Sequence, residues 1–147
     1  EAHHRAGRAY VAAPVFGRPE AAAAGKLFIL AAGSPEAIEK SRPIFDVLGQ
    51  KTFIVSENPW DANIVKLSGN FLVASVIESL GESLALIRKY GIDQNKFLDV
   101  LTGSLFNAPV YKTYGDIMAR EDYEPAAFKL PLGLKDLRLM LAAAEDI

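Results

Sequence analysis

The fold is decided by the stretch NPWDANIVKLSGNFLVASVIESLGESLALIRKYG, Asn58–Gly91, which has the pattern of one long helix. Asn58 can accept a backbone N–H as N-cap, Pro59 suits the first helical position, and Gly91 suits the C-terminal stop. No proline lies between Pro59 and Gly91, so the helix would extend about 48 Å, roughly the width of a small domain. The stretch therefore predicts a long central helix against which the rest of the chain packs.

Apolar residues lie on more than one side of this predicted helix, a pattern typical of burial in a helical bundle. They are Ile64, Leu67, Phe71, Val73, Val76, Ile77, Leu80, Leu84 and Ile87. Asn63, Lys66 and Asn70 follow at i, i+3 and i+7, so they project from one face. Because a lone buried ammonium is costly, we expect Lys66 to have a partner, to have a shifted pKa or to line a solvated cleft.

Composition excludes several classes of function. The chain has 147 residues, is 50% hydrophobic, carries a formal charge of -2 and has no cysteine. The slight negative charge gives no electrostatic reason to expect nucleic acid or an anionic membrane as a partner. Without cysteine there are no disulfides, thiol nucleophiles or cysteine-rich zinc sites. The absence of cysteine also fits the cytoplasmic location that we expect. Charged residues interrupt the apolar helix, so we expect no membrane span.

The residues before Asn58 have an α/β pattern. Tyr10–Phe16, Lys26–Ala32 and Thr52–Val55 are predicted strands, and the second is continuously apolar, as in sheets covered on both faces. Between the second and third strands, Ser34 is a predicted N-cap and Gly49 the stop of a helix. Three strands without neighbours would leave sheet edges bare.

The residues after the long helix are predicted to be helical throughout. One short helix is capped by Asp93, a second begins at Pro109, and a third contains Leu134. The pattern changes near Glu57, which predicts domains at residues 1–57 and 58–147. The chain begins without methionine and ends within a helical pattern, so we expect a fragment of a longer protein.

Lys66 and Asn70 are the first candidates for chemistry. A lysine in a partly dry cleft can exchange protons with a hydroxyl or carbonyl oxygen, and an amide one turn along can bind the same substrate. The alternative is a lysine that extends to solvent and a packed asparagine. Spacing alone leaves both interpretations open.

The loop Pro14–Gly25 is the second candidate. Gly17 permits close approach of a ligand to the backbone, and the planar guanidinium of Arg18 could hold a carboxylate or phosphate. The alternative is a turn with a surface arginine. Lys135 and Asp136 begin the last helix, and adjacent opposite charges are usually a solvated pair.

No metal site is predicted. Glu78 and Glu82 share a helical face but have no accompanying histidine, so packing or ion pairing is the better interpretation. His3 and His4 are adjacent, which is poor spacing for two ligands on a helix. The sequence also contains no GxGxxG, P-loop or GxSxG motif.

Three motifs together resemble a known family. AAPVFGRPEAAAAGKL, Ala12–Leu27, is similar to a substrate-loop motif of the form DAPVSGG followed by small residues; DANIVKLSGNF, Asp61–Phe71, is similar to a catalytic-helix motif; and FKLPLGLKDLRLMLAAA, Phe128–Ala144, is similar to a late motif with a Lys-Asp-Leu core. In this order they resemble the β-hydroxyacid dehydrogenases, which include 3-hydroxyisobutyrate dehydrogenase and the tartronate, glyoxylate and succinic semialdehyde reductases.

The resemblance implies the end of a Rossmann domain followed by an all-α domain like the C-terminal domain of 6-phosphogluconate dehydrogenase. It implies a cofactor, NAD or NADP, a small hydroxyacid or semialdehyde substrate, and a homodimer formed through the helical domain. Lys66 would be the general acid and base, and Lys135 would lie on the cofactor side. The implied substrate-binding residues are Phe16, Gly17, Arg18 and Asn70.

Several residues depart from the family pattern. Phe16 stands where the family usually has serine, Arg18 where it has glycine, Ala62 where glycine is common, and Gly69 where asparagine is frequent. These departures predict a bulkier and more apolar pocket. Imine reductases have a similar layout but usually lack the lysine, so Lys66 favours an oxoacid or semialdehyde as substrate.

The family's Gly-rich turn, which receives the dinucleotide pyrophosphate, is missing from these residues. We therefore expect residues 1–147 alone to bind cofactor poorly and to have no activity. The alternative from another class of function is a helical dimerisation module that performs no chemistry.

Overall fold

The structure is a computed structural model that describes residues 2–126 and 128–145. Its strands are β1 (Val15–Phe16), β2 (Leu27–Ala32) and β3 (Gly49–Ser56), and its helices are α1 (Ala2–Arg5), α2 (Pro19–Ala23), α3 (Pro35–Leu48), α4 (Pro59–Lys89), α5 (Gln94–Thr102), α6 (Pro109–Arg120) and α7 (Leu130–Glu145). These elements form two compact units, residues 1–69 with 138–147 and residues 70–137. The predicted division into 1–57 and 58–147 stays a prediction.

The first unit is built on a sheet of order β1-β2-β3. β1 is antiparallel to β2, with Val15 opposite Ile29, and β2 is parallel to β3, with Ile29 opposite Thr52. Every residue of β2 except Phe28 is buried, as its continuous apolar run predicts. The α/β prediction for this part of the chain is therefore confirmed.

Two strand boundaries differ from the prediction. The predicted strand Tyr10–Phe16 is reduced to Val15–Phe16 plus an isolated bridge between Ala12 and Ala32. Pro14 separates the two pieces because it has no N–H to donate, although its carbonyl accepts from Leu30 N at 2.9 Å. The third strand is longer than predicted, because Gly49 both caps α3 and begins β3.

Helix α3 begins as its sequence predicts. Ser34 Oγ accepts from Ala37 N at 3.3 Å, and Pro35 is the first helical residue. Ile38 and Phe45, which are seven residues apart, share the face that packs on the sheet and are buried. Ile44, which precedes Phe45, is 62% exposed, because adjacent residues of a helix point about 100 degrees apart.

The predicted start and stop of α4 are confirmed. Asn58 Oδ1 accepts from Trp60 N at 3.3 Å, and Asn58 Nδ2 donates to Asp61 Oδ1 at 3.0 Å. The helix ends at Lys89, and Gly91 follows with a φ of 70°, a left-handed conformation that glycine adopts without strain.

The expected burial of much of α4 is wrong for this chain. Leu80 and Leu84 are 3% exposed, but Ile64 and Phe71 are 42% and 44% exposed. Apolar periodicity shows which sides of a helix are apolar, and it does not show which of those sides the same chain covers. The helix has apolar residues all round but is covered along part of its surface.

By length and composition alone, α4 is also the one helix among the described residues that could cross a membrane. A single such helix is weak evidence, because core helices of soluble proteins pass the same test. Lys66, Glu78 and Glu82 lie within it. The absence of a membrane span stays a prediction.

The second unit packs α5 against α6. Asp93 caps α5 as predicted by accepting from Asn95 N at 2.8 Å. Gly115 of α6 is buried, and a Cβ placed on it would lie 2.6 Å from Leu98 Cδ2 and 3.6 Å from Leu80 Cδ2. The missing side chain therefore allows α6 to approach both α5 and α4 closely.

Candidate functional site

In the first unit, β1 and α4 bring Phe16 and Lys66 together. The Lys66 Nζ lies 4.1 Å from the centroid of the Phe16 ring. At this distance the quadrupole of the ring attracts the ammonium. Both residues are half-buried. Lys66 therefore has the kind of partner that its position among apolar residues predicted.

The same ring covers the helix beyond Lys66. A Cβ placed on Gly69 would lie 2.7 Å from Phe16 Cε1 and closer still to Cζ. Phe16 also packs against a buried cluster that includes Ala62. Ala62, Lys66 and Gly69 follow at i, i+4 and i+7, the spacing of one helical face. The small residues on either side of the lysine leave room for an aromatic ring against this face.

Gly17 and Arg18 follow Phe16 in the loop between β1 and α2, and both are exposed. Gly17 has a φ of 140°, and a Cβ on it would lie 2.6 Å from Leu27 Cδ2, so no other residue fits here without rearrangement. Arg18 has extended backbone and occupies the N-cap position of α2. Its guanidinium is accessible to an anion from solvent.

In the second unit, a carboxylate joins two predicted site residues. Asn70 Nδ2 donates to Asp136 Oδ2 at 2.7 Å, and Lys135 Nζ lies 2.8 Å from Asp136 Oδ1. The side chain of Asp136 is 15% exposed, whereas that of Lys135 is 60% exposed. Asp136 therefore connects α4 with α7 across 66 residues of sequence.

Asp136 is the residue that sequence reasoning missed. Adjacent opposite charges at the start of a helix are usually solvated, and that rule predicts an exposed Lys135–Asp136 pair. The structure corrects this interpretation, since one partner is largely buried and binds the amide of Asn70. The Lys-Asp-Leu core of the third motif was the signal that could have identified it.

The other polar candidates do not join either group. Glu78 and Glu82 are exposed on α4. His3 stacks on Tyr10 with ring centroids 5.2 Å apart, and the side chain of His4 lies outside what the structure describes. Within residues 2–126 and 128–145, no group of three or more potential metal-ligating side chains is close enough to hold an ion.

Two family models match consecutive parts of the chain. One is described as the NAD-binding domain of 6-phosphogluconate dehydrogenase and matches residues 1–56. The other is described as the NAD-binding of NADP-dependent 3-hydroxyisobutyrate dehydrogenase and matches residues 61–147. Both are models of nicotinamide-dependent dehydrogenases.

Curated relatives of the chain are also described as oxidoreductases or reductases. An uncharacterised oxidoreductase of Bacillus subtilis is 47% identical over 146 residues, which are 99% of this chain and 51% of that protein. Glyoxylate/succinic semialdehyde reductase 1 of Arabidopsis thaliana is 36% identical over 140 residues, which are 95% of this chain and 48% of that protein. The chain thus spans about half the length of these curated relatives.

A crystal structure of 3-hydroxyisobutyrate dehydrogenase from Salmonella typhimurium superimposes with a TM-score of 0.86 at 26% identity. The superposition covers 99% of this chain and 50% of that one. The predicted combination of a Rossmann-type fragment and an all-α region built on one long helix is therefore confirmed. The motifs, the family models and the fold agree, and the chain belongs to the β-hydroxyacid dehydrogenase family, whose cofactor is NAD or NADP.

Proposed function

We propose that the protein containing this chain transfers hydride between a nicotinamide cofactor and a small hydroxyacid or semialdehyde. In this proposal Lys66 is the general acid and base. The observation that carries it is the position of Lys66. This residue lies within the catalytic-helix motif, is half-buried, and has its Nζ 4.1 Å from the centroid of the Phe16 ring. Half-burial distinguishes Lys66 from Lys51, which is exposed although its ammonium also lies over a ring.

Lys66 acts on the oxygen of the substrate. During reduction, charge develops on the carbonyl oxygen as the carbonyl carbon accepts hydride, and the ammonium donates a proton to that oxygen. During oxidation, the neutral amine accepts the hydroxyl proton. Lysine suits both directions because its charge responds strongly to its surroundings.

Asn70 positions the substrate through its amide. The 2.7 Å bond from Nδ2 to Asp136 fixes the plane of this amide and so determines where its carbonyl oxygen and second N–H point. Lys66 and Asn70 are four residues apart in α4, which is the spacing of neighbours on a helix surface. Asp136 is a positioning residue in this proposal, since it acts through Asn70 and Lys135.

The substrate loop supplies an anchor for a carboxylate. Gly17 brings backbone close to the ligand, and the exposed guanidinium of Arg18 can form two parallel hydrogen bonds with a carboxylate. A hydroxyacid or semialdehyde with one carboxylate fits this donor. We therefore place the substrate's acid group at Gly17 and Arg18.

The cofactor, NAD or NADP, would supply hydride to the substrate carbon when bound. Lys135 is the residue of this chain that would hold it, because its exposed ammonium suits an anionic or polar ligand. The sequence contains no Gly-rich pyrophosphate turn. We expect residues 1–147 alone to bind cofactor weakly and to lack turnover, and micromolar affinity for NADPH by calorimetry would contradict this expectation.

We also propose a cytoplasmic homodimer that forms through the helical region. Support comes from large apolar side chains exposed on α4, including Leu72 at 64% and Leu86 at 57%. Exposed apolar surface of this kind often marks an interface. Analytical ultracentrifugation of the complete protein tests this part, and a monomer at micromolar concentration would reject it.

The same exposed surface favours the second candidate, a non-catalytic dimerisation module. Lys66→Ala in the complete protein distinguishes the two. We expect turnover to fall at least about 100-fold, because general acid–base catalysis contributes 100-fold to 10,000-fold, while cofactor affinity is preserved. Unchanged turnover would reject the catalytic role of Lys66 and favour the module.

A further inference from the structure

Three residues lie at one place in the first unit. The ring of Phe16 occupies the space that a side chain at position 69 would need, and Gly69 provides that space. Ala62 belongs to the buried cluster against which Phe16 packs. The three residues therefore form one arrangement centred on an aromatic ring.

We propose that Phe16 and Gly69 together determine substrate specificity, by forming an apolar wall that selects a methyl or larger alkyl group beside the reacting carbonyl over a hydroxyl group. The proposal rests on the proposed function of Lys66. It goes beyond that function because it defines which substituent the substrate carries.

The Phe16 ring lies close to the place where the substrate carbonyl would react. A carbonyl oxygen that accepts a proton from Lys66 must lie within hydrogen-bonding distance of Nζ, about 3 Å. The substituent on the neighbouring carbon is only three bonds from that oxygen. Since the Phe16 ring centroid is itself 4.1 Å from Nζ, the ring and this substituent lie near the same ammonium.

The Phe16 ring also lacks groups that form strong hydrogen bonds. A serine hydroxyl can donate or accept a hydrogen bond, whereas a phenyl ring offers a substrate hydroxyl no comparable partner. A hydroxyl buried against the ring loses its bonds to water without replacement, while a methyl group there gains contact. The wall therefore favours the methyl compound in both respects.

The Phe16 ring lies against two parts of α4, the Lys66 ammonium and the face at Gly69, where it occupies the space that a Cβ would need. A wall that is supported on two sides discriminates between substrates according to how well each one fits it. A Cβ at position 69 would displace the ring.

Two aldehydes of nearly equal size test the proposal. They are 2-methyl-3-oxopropanoate and 2-hydroxy-3-oxopropanoate, which share the aldehyde and carboxylate and differ by a methyl against a hydroxyl. The measured quantity is the ratio of their kcat/KM values in the complete enzyme. We expect wild type to favour the methyl compound about tenfold or more, within the range known for apolar pockets.

Phe16→Ser is expected to lower this ratio about tenfold by raising KM for the methyl compound and lowering it for the hydroxyl compound. Phe53→Ser is the matched control, because Phe53 also carries a lysine ammonium over its ring, with Lys51 Nζ at 4.7 Å. The control should leave the ratio within about twofold of wild type.

Gly69→Ala provides a second variant that retains the aromatic residue but displaces its ring, and it should lower the ratio as well. Gly81→Ala is its control, because a Cβ on Gly81 meets nothing within 4 Å. If both Phe16→Ser and Gly69→Ala leave the ratio unchanged while Lys66→Ala abolishes turnover, the specificity proposal is wrong and the catalytic one stands. If Lys66→Ala retains full turnover, the proposed function itself fails.

Discussion

Two regions of the molecule hold polar side chains of the candidate site in different ways. In the first unit, an aromatic ring lies against the Lys66 ammonium, whereas in the second unit a carboxylate binds both Asn70 and Lys135. A ring attracts a cation without fixing the directions of its N–H bonds, while a hydrogen bond fixes the orientation of an amide. The ring is one contact of the ammonium that transfers a proton in the proposed reaction, whereas the carboxylate holds the amide of Asn70 in one orientation.

The largest effect should come from the ammonium held by the ring. Lys66→Met removes the proton donor but retains much of the side-chain volume, so we expect kcat to fall by about 100-fold to 10,000-fold. Lys51→Met is the matched control, because Lys51 has the same contact with Phe53 at 4.7 Å. Steady-state kinetics of the complete enzyme with both variants measures the difference.

A comparable loss of kcat with Lys51→Met would mean that the contact between ammonium and ring supports the fold in both places. The loss with Lys66→Met would then give no support to a catalytic role for Lys66. The two lysines differ in their surroundings, since Lys51 is exposed on β3 and Lys66 is half-buried on α4. A cation over a ring is therefore not a sign of catalysis by itself.

Asp136→Asn should have the next largest effect. The substituted amide keeps the shape of the side chain but loses the charge that accepts from Asn70 and pairs with Lys135. We expect kcat/KM to fall about 10-fold to 100-fold, as for other residues that orient a directly acting group. Asp99→Asn is the control, since Asp99 is exposed on α5.

The expected signature of Asp136→Asn is a higher KM with a smaller change in kcat, because Asn70 positions the substrate and does not transfer the proton. An equal loss of kcat/KM in Asp136→Asn and Asp99→Asn would indicate a general effect of removing a negative charge. An unchanged KM in Asp136→Asn would contradict the positioning role.

Sequence reasoning predicted the elements well where local chemistry determines them. Ser34 and Asp93 cap their helices as expected, because an N-cap depends on residues within one turn. The strand expected at Tyr10–Phe16 failed at Pro14, where the missing N–H outweighed the apolar pattern. These signals lie within a few residues of the feature that they determine.

The candidate site could be predicted only in part, because its contacts join distant residues. Spacing placed Lys66 and Asn70 on one face, and the resemblance assigned their roles. Neither spacing nor resemblance showed that the ring of Phe16 takes the place of a side chain at Gly69, or that Asp136 binds Asn70. Such pairings depend on how β1, α4 and α7 pack, and a single sequence does not contain that information.

Gly69→Ala against Gly81→Ala compares the ring-covered face of α4 with an open one. In a helix interior, alanine is favoured over glycine by about 1 kcal/mol. Gly81→Ala should gain about this much stability, since a Cβ there meets nothing within 4 Å. Gly69→Ala must also displace the Phe16 ring, a strain of about 1–3 kcal/mol, so its net effect should be neutral or destabilising.

Urea unfolding of the complete protein measures both glycine variants. The same Gly69→Ala substitution in a Phe16→Ala background should lose the penalty and approach the effect of Gly81→Ala, because no ring remains to be displaced. Equal stabilisation by the two single substitutions would show that the ring moves aside without cost. In that case the wall beside Lys66 would be too mobile to select a substituent.

The smallest effect should come from the exposed pair. Phe53→Leu removes the ring under the Lys51 ammonium but keeps an apolar side chain, and Phe53 is 41% exposed. Because water solvates both partners, we expect a loss of about 0.5–1 kcal/mol in the free energy of unfolding. Phe16→Leu should cost more, since that half-buried ring packs against a buried cluster and covers Gly69. If Phe53→Leu and Phe16→Leu lower the free energy of unfolding equally, burial adds no stability to the contact between Phe16 and Lys66. Any difference in kcat between the Lys66 and Lys51 variants would then have to come from other groups near each lysine.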